Sequence, residues 1–324
     1  MKDRLGRNIE YLRLSITDRC NLRCVYCMGD KNIKFLPREE ILNPEEIKDI
    51  VEIFADLGVK KIRITGGEPL VRNNFREIVT NIRDINRIEE ISITTNGIKL
   101  LENIEFLKEK NINSINVSLD TLKPDLYREI TGGGDLNLVL SGIYKALELG
   151  IKRVKINVVI IKGKNQNEIM DFVRLTEKYP IDVRFIELMP IGVGKEYCGI
   201  SNDEIKKEIE KTRTLTFVNE VRGSGPAVYY KTEEGKGCIG FINPLSHNFC
   251  EYCNRVRITP EGYLKLCLHW KDGVNLKEII RDKDRKKELK SIIENAIYNK
   301  PSKHQMNEKD GKDFEERTMN GVGG

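Results

Sequence analysis

Leu14-Ser15-Ile16-Thr17-Asp18-Arg19-Cys20-Asn21-Leu22-Arg23-Cys24-Val25-Tyr26-Cys27 joins a strand-like run to a C-x3-C-x2-C cluster. Three thiols within eight residues can turn toward one point, and no fourth Cys or His lies nearby in the sequence. Three thiolates suit a cubane iron–sulfur cluster with one iron left without a protein ligand. Such an iron can bind a small molecule and act on it. A structural zinc site is the alternative reading, although such sites are normally closed by four protein ligands.

The strand that leads into this cluster opens a repeating pattern. Strand candidates are 12–17, 61–65, 90–95, 114–119, 154–160 and 182–187, and helix candidates between them are 44–57, 74–85, 101–110, 136–149 and 166–178. Leu-Gly at 57–58 and 149–150 supplies glycine helix stops. Strand–helix alternation predicts an α/β fold with a parallel sheet and right-handed crossovers. Six such strands with helices on one side make a partial (β/α)6 TIM-type barrel; a doubly wound sheet is the alternative. After about residue 212 the pattern changes to short strands at 214–221, 227–231 and 238–242, a second cysteine group and two charged helices near 275–298. The expected division is therefore 1–212 for the barrel and 213–324 for a C-terminal region.

The 324 residues allow one large domain with an appendage, or two domains. Charged residues are 32% of the chain with a formal net charge of +5, too small a surplus to signal nucleic-acid binding. A charged N-terminus and the lack of a long apolar run predict no secretory signal and no membrane span. Eight cysteines in a chain of this kind predict a cytoplasmic protein with reduced thiols, some of them ligands. Six fall into two triplets; Cys198 and Cys238 read as packing residues.

In TIM-type barrels, functional residues follow the C-terminal ends of strands. Here Gly66-Gly67-Glu68-Pro69, Thr94-Thr95-Asn96-Gly97, Ser118-Leu119-Asp120 and Met189-Pro190 stand in those places. A Gly-Gly pair lets backbone approach a ligand closely, although GGEP alone could be an ordinary turn. Strand parity adds a second signal. Arg13, Ser15 and Thr17 alternate with Leu12, Leu14 and Ile16; Lys61, Arg63 and Thr65 alternate with Ile62 and Ile64; Lys155 and Asn157 alternate with Val154, Ile156 and Val158. The apolar face should meet the helices and the polar face the barrel interior. Interior cations are costly without an anion, and few acids share those faces, so a polyanionic ligand is expected. The parity of Arg184 is less clear. No G-x4-G-K-[ST] occurs, so phosphates would be held by side chains.

Cys250-x2-Cys253-x13-Cys267 forms the second triplet, and the intervening residues read as a hairpin with a Pro260-Glu261-Gly262 turn. His247 or His269 could close a Cys3His zinc site, so zinc and iron–sulfur stand level on spacing. Arg255 and Arg257 alternate on one strand and can grip a phosphate or a carboxylate together; two exposed surface arginines would look the same.

C-x3-C-x2-C with an aromatic before the last Cys, together with GGEP, resembles the radical S-adenosylmethionine (SAM) superfamily. Within it, the chain resembles the GTP 3′,8-cyclase family of molybdenum cofactor biosynthesis nearly end to end. The resemblance runs through Leu12–Cys20, Lys60–Leu70, Ile115–Asp120, Arg184–Met189, Phe249–Arg257 and the terminal Gly323-Gly324. It implies a [4Fe–4S] cluster on Cys20, Cys24 and Cys27 whose open iron chelates SAM, with Tyr26, Gly67, Ser118 and Met189 contacting SAM. It implies a second [4Fe–4S] cluster on Cys250, Cys253 and Cys267 whose open iron meets guanine. Arg13, Arg63, Thr94, Lys155, Arg255, Val256 and Arg257 match GTP-binding positions, and Lys61 and Arg184 join them. The Gly-Gly tail is expected in the active site; without the family it would read as a frayed terminus. The resemblance also implies a homodimer, an electron donor of unspecified identity, and a pyranopterin monophosphate synthase that takes the product. Two departures touch only loops: Gly29 follows Met28 where proline is common, and Asn73-Asn74 replaces a basic–acidic pair.

Overall fold

The computed structural model describes residues 1–323 apart from 30–32, 221, 224 and 307–313. In chain order, β1 (Tyr11–Ser15), α1 (Pro44–Asp56), β2 (Lys61–Thr65), α2 (Phe75–Arg83), β3 (Glu90–Thr95), α3 (Leu100–Glu109), β4 (Ser114–Ser118), α4 (Pro124–Thr131), α5 (Leu136–Glu148), β5 (Arg153–Val158), α6 (Ile169–Lys178) and β6 (Ile181–Ile186) form the alternating part. They are followed by α7 (Asn202–Glu210), β7 (Thr216–Phe217), β8 (Val228–Lys231), β9 (Ile239–Ile242), β10 (Arg255–Ile258), β11 (Tyr263–Lys265), β12 (Gly273–Asn275), α8 (Leu276–Arg281), α9 (Leu289–Tyr298) and α10 (Met319–Val322).

Local chemistry accounts for the helix ends. Asn43 caps α1 in a capping box with Glu46, and Pro44 sits in the first turn, where a missing N–H costs nothing. Ile47, Ile50, Val51 and Phe54 then recur at helical spacing and are buried. Gly58 and Gly150, just past α1 and α5, take positive φ as helix stops do.

Two compact units divide the chain: residues 1–21, 30–93 and 250–324, and residues 22–29 and 94–249. This partition differs from the expected 1–212 and 213–324. In the first unit the strand order is β12-β11-β10-β1-β2-β3, in which β10, β1, β2 and β3 run parallel and β11 and β12 add antiparallel strands. In the second, β4, β5, β6 and β9 run parallel and β8 and β7 extend them antiparallel. The composition change near residue 212 marks only where alternation stops: residues 213–249 add strands to the second unit, and the chain from 250 onward adds strands to the first. The Pro260-Glu261-Gly262 hairpin forms as expected, between β10 and β11.

The apolar strand faces are buried as parity requires. Leu12, Leu14, Ile62, Ile64, Ile115, Val117, Val154 and Ile156 have almost no exposure. Cys238 is buried, whereas Cys198 is exposed, so only the first fills the packing role expected of both. Among the described residues, no helix is long and apolar enough to cross a membrane.

Candidate active site

The polar face of β10, β1 and β2 carries a row of arginines. Parallel register sets Arg13 opposite Arg257 on one side and Arg63 on the other. One step back, Tyr11 lies opposite Arg255 and Lys61; one step forward, Ser15 lies opposite Thr65. The Tyr11 ring stacks under the guanidinium groups of Arg63 and Arg255, at 5.7 and 5.5 Å from its centroid. Burial, then Arg257, Arg63 and Arg255, push Arg13 well below an ordinary guanidinium, against a counter-pull from Tyr11. Burial and Arg255 bring Arg257 down to about 10. The Arg63 Nε is buried without a hydrogen-bond partner. Like charges in a poorly solvated place are an unfavourable arrangement that a polyanion relieves. Val256 differs from its neighbours. Its side chain is fully buried on the opposite face, so only its backbone is left for a ligand.

The C-terminal segment reaches this face. Arg257 Nη1 donates to the Gly323 carbonyl at 2.9 Å, and Asn320 Nδ2 donates to the Asp18 carbonyl at 3.0 Å. Gly323 has φ +74°, and a Cβ there would come within 2.7 Å of Ser15 Cβ. Gly323 of the expected Gly-Gly tail thus lies against Ser15 and Thr65; Gly324 lies outside the described residues.

The turn after β2 packs on the segment leading to Cys20. Gly67 N donates to Thr17 O at 2.6 Å and Glu68 N to Arg19 O at 2.8 Å. A Cβ on Gly67 would stand 2.4 Å from Arg19 O, so the glycine is required by backbone approach.

In the second unit, Arg23 N and Val25 N donate to Thr131 O and Ile130 O, at 2.8 and 2.9 Å. This ties the cysteine loop to the end of α4. Cys27 N and Met28 N both donate to Cys24 O at 3.0 Å, forming a turn. The Tyr26 hydroxyl donates to Asp120 Oδ2 at 2.6 Å, and Val159 N donates to Asp120 Oδ1 at 2.8 Å. Burial pushes Asp120 up to about 6 despite both donors, and burial, then Asp120, raises Tyr26. Cys24 and Cys27 lie close enough to Tyr26 to add to its shift.

Other expected substrate positions of this unit are already engaged. Lys155 Nζ donates to the Arg222 carbonyl and to the Tyr229 hydroxyl, and lies 4.0 Å from Asp182, its register neighbour. The expectation that few acids share these faces therefore fails at Lys155. Arg184 is buried and held by the side-chain oxygens of Asn157 and Asn116, which settles its orientation toward the polar face. Ser118 and Met189 are half-buried at the ends of β4 and beyond β6, and the Thr94 hydroxyl is buried without a partner.

The second cysteine triplet is half-buried, and all its thiols are free. Cys253 and Cys267 both act on Cys250 electrostatically, which places the three together. Burial raises Cys250, while for Cys253 the nearby Lys300 and Arg255 outweigh burial and lower it. Backbone N–H groups of His304 and Arg255 point at the Cys250 and Cys253 sulfurs. N–H donors and cations around thiolates suit an anionic iron–sulfur cluster. His247 instead pairs with Asp203 at 3.3 Å, and His269 packs on Phe314 with ring centroids 4.0 Å apart. Among the described residues, no three His, Cys, Asp or Glu side chains converge as the ligands of a single ion do. A cubane, bonded at separate corners, asks for wider spacing.

Comparisons with known proteins agree with this chemistry. Residues 14–176 match the family model of the radical SAM superfamily, and residues 181–306 match that of Molybdenum Cofactor Synthesis C. The GTP 3′,8-cyclase of Clostridium perfringens (strain SM101 / Type A) is 48% identical over the full length of both chains. That of Syntrophomonas wolfei is 46% identical, also over both full lengths. The chain belongs to the GTP 3′,8-cyclase family of the radical SAM superfamily. Streptococcus suis SuiB bound to S-adenosylmethionine superposes with a TM-score of 0.62 at 17% identity, over 88% of this chain and 68% of that one. This likeness shows the fold alone, the α/β partial barrel of the radical SAM proteins. Membership of the family gives the chain two [4Fe–4S] clusters and SAM as cofactors.

Several residues around the candidate site carry no local sequence signal. Tyr11 looks like a core aromatic until the register shows it among arginines. Asp120 stands in a strand-end motif, but its hydroxyl partner, Tyr26, is 94 residues away. The engagement of Lys155 by Asp182 needed the β5–β6 pairing.

Proposed function

We propose that this chain converts GTP to 3′,8-cyclo-7,8-dihydro-GTP, the first step of molybdenum cofactor biosynthesis. The observation that carries the reading is the row formed by Arg257, Arg13 and Arg63, backed by Arg255, on one sheet face. A full-length family match supports the same substrate. Guanidinium groups in a row match a triphosphate through paired N–H donors.

Cys20, Cys24 and Cys27 would hold the first cluster and Cys250, Cys253 and Cys267 the second; Tyr26, Gly67, Ser118 and Met189 would contact SAM. When bound, the reduced first cluster and SAM would supply hydrogen abstraction at C3′ of GTP; C3′ would then bond to C8 as the C8=N7 double bond opens, and one electron from the donor with one proton would complete the dihydro product. This chain's own residues position the substrate. Arg13, Arg63, Arg255 and Arg257 hold the phosphates, with Lys61, Thr94, Lys155, Arg184 and the Val256 backbone as further contacts, of which Lys155 must exchange its present partners. The Gly323 carbonyl fixes Arg257 from the other side. Holding C3′ beside its oxidant and near C8 is catalysis by positioning. By function, 1–212 would carry the SAM chemistry and 213–324 the second cluster and tail. The family resemblance supports a cytoplasmic homodimer, a separate electron donor and a pyranopterin monophosphate synthase that receives the product.

Anaerobic incubation with SAM, reductant and GTP, followed by mass analysis, tests the proposal. The expected product has the mass of GTP, with 5′-deoxyadenosine and methionine formed alongside. Reductive SAM cleavage without any GTP isomer would reject it. A peptide-modifying radical SAM enzyme is the alternative class, and the full-length relatives do not favour it.

A further inference from the structure

Arg7 is buried and uses its whole donor set. Nε donates to Asp3 Oδ2 at 2.6 Å. Nη1 donates to the carbonyls of Cys250 and Ser302 at 2.9 and 3.0 Å. Nη2 donates to those of Lys300 and Pro301 at 3.2 and 2.7 Å. A guanidinium has five N–H groups in a rigid plane, and here each meets an oxygen. Asp3 is buried as well, and its Oδ1 accepts from Arg7 N and Leu5 N, at 2.9 and 3.0 Å, so the acid that aims the fork is itself held.

The Cys250 carbonyl is the informative acceptor. It also accepts from Cys253 N at 3.2 Å, which closes the short turn between two of the cysteines. A single 3-10 turn of this kind has little stability of its own. The next carbonyl anchor is Asn254 O, which takes Glu10 N and Tyr11 N at 3.1 and 3.2 Å as β1 begins. Residues 7–11 thus template residues 250–254, and the same guanidinium ties residues 300–302 beside them.

We propose that Arg7 is a positioning residue for the second cluster: its fork sets the Cys250–Cys253 turn and the 300–302 segment in the geometry that cluster ligation needs. The proposal rests on the reading that Cys250, Cys253 and Cys267 hold that cluster. Lysine keeps the charge but cannot present a planar fork of five donors. R7K separates the fork from the cation.

The test reconstitutes wild type, R7K and C267S anaerobically. It measures iron per chain, the electron paramagnetic resonance spectrum of the reduced protein, and reductive SAM cleavage. Wild type should hold about eight irons and C267S about four, and the signal missing in C267S identifies the second cluster. R7K should also fall to about four, lose that same signal, and cleave SAM within about twofold of wild type. R7K with full iron and an unchanged second signal would overturn the proposal, as would equal loss from both clusters, the mark of a merely structural role. Wild type with only about four irons would remove the two-cluster reading and the proposal with it. If R7K does not fold, D3N, which removes the anion aiming the fork and sets an amide NH2 where an acceptor oxygen stood, is judged by the same criteria, with at least half of the second-cluster iron expected to be lost.

Discussion

At the residue scale, the arginine row sets stability against the proposed binding of a polyanion. Arg63 lies between Arg13 and β3, largely buried, and with Tyr11 under its guanidinium. Replacing it by methionine keeps the packing volume and removes one of several repelling cations. Arg63→Met should raise the thermal midpoint of the GTP-free protein, equivalent to about 1 kcal/mol, and weaken GTP binding about 100-fold. Calorimetry and titration of the same sample check both; a large fall in the midpoint would mean the arginine is structural. Asp120 makes a second case. Its folded carboxyl is pushed up to about 6 from the ordinary 3.8, chiefly by burial. The folded state therefore holds a proton between those values that the unfolded chain has released. Stability from this group is complete below about pH 4 and is lost as pH rises through about 6, by up to about 3 kcal/mol. Asp120→Asn removes the titration while Tyr26 and Val159 keep partners. The parent should lose more stability than Asp120→Asn between pH 5 and pH 7.5 in urea unfolding; equal losses would contradict the buried-acid assignment. Parity exposed the Arg13 and Arg63 face in the sequence because both strands are local. Asp182 at Lys155 and Tyr26 at Asp120 were not legible, because each pairing joins distant segments.

At the element scale, legibility follows the range of the determining interaction. α1 could be read from Asn43, Pro44 and the apolar spacing, all within one helix, and β2 and β3 from alternation. α4 and α7 carry no pattern that predicts them. Each is only eight or nine residues long, and the Ser201–Glu204 capping box that begins α7 stands in a stretch that reads as loop. The strands after residue 212 were placed, but not their pairing: β9 joins β6 and β10 joins β1 through parallel register that no local pattern encodes. The GGEP turn is where an element boundary meets the proposed SAM contact. Gly67→Ala would place a methyl 2.4 Å from Arg19 O, and the obstacle is backbone, which cannot swing aside. SAM affinity should fall at least about tenfold, while the iron of the second cluster stays. Gly225→Ala is the control, since none of the described residues lies within 4 Å of a Cβ there, and it should change neither quantity. Equal SAM binding by Gly67→Ala and wild type in equilibrium dialysis would contradict the close-approach argument.

At the scale of the whole molecule, both ends of the chain belong to the first unit, and its C-terminal stretch makes two separate sets of contacts. Residues 300–302 occupy Arg7, and Lys300 Nζ donates to the Leu266 carbonyl beside Cys267. Glu315 then pairs with the fully buried Lys265; burial raises its carboxyl, but Arg317 and Lys265 outweigh that and hold it at about 2. Arg317 also pairs with Glu261 in the β10–β11 turn. Beyond these anchors, Asn320 reaches the Asp18 carbonyl and Gly323 reaches Arg257. Two truncations should therefore behave differently. Ending the chain after Arg317 leaves every anchor and removes the Gly323 carbonyl, so both clusters should load, SAM should still be cleaved, and cyclised product should fall at least about 100-fold. Ending it after Tyr298 removes three of the five acceptors around Arg7, leaving Asp3 and Cys250, and leaves the buried Lys265 cation without its carboxylate. That chain should lose the second cluster and several degrees of thermal midpoint. Iron content, midpoint and product yield from the two chains decide the matter. If the shorter chain keeps both clusters, residues 299–317 are not the scaffold of the second site; if the longer one keeps full product yield, the tail carbonyl has no part in holding Arg257 for the reaction.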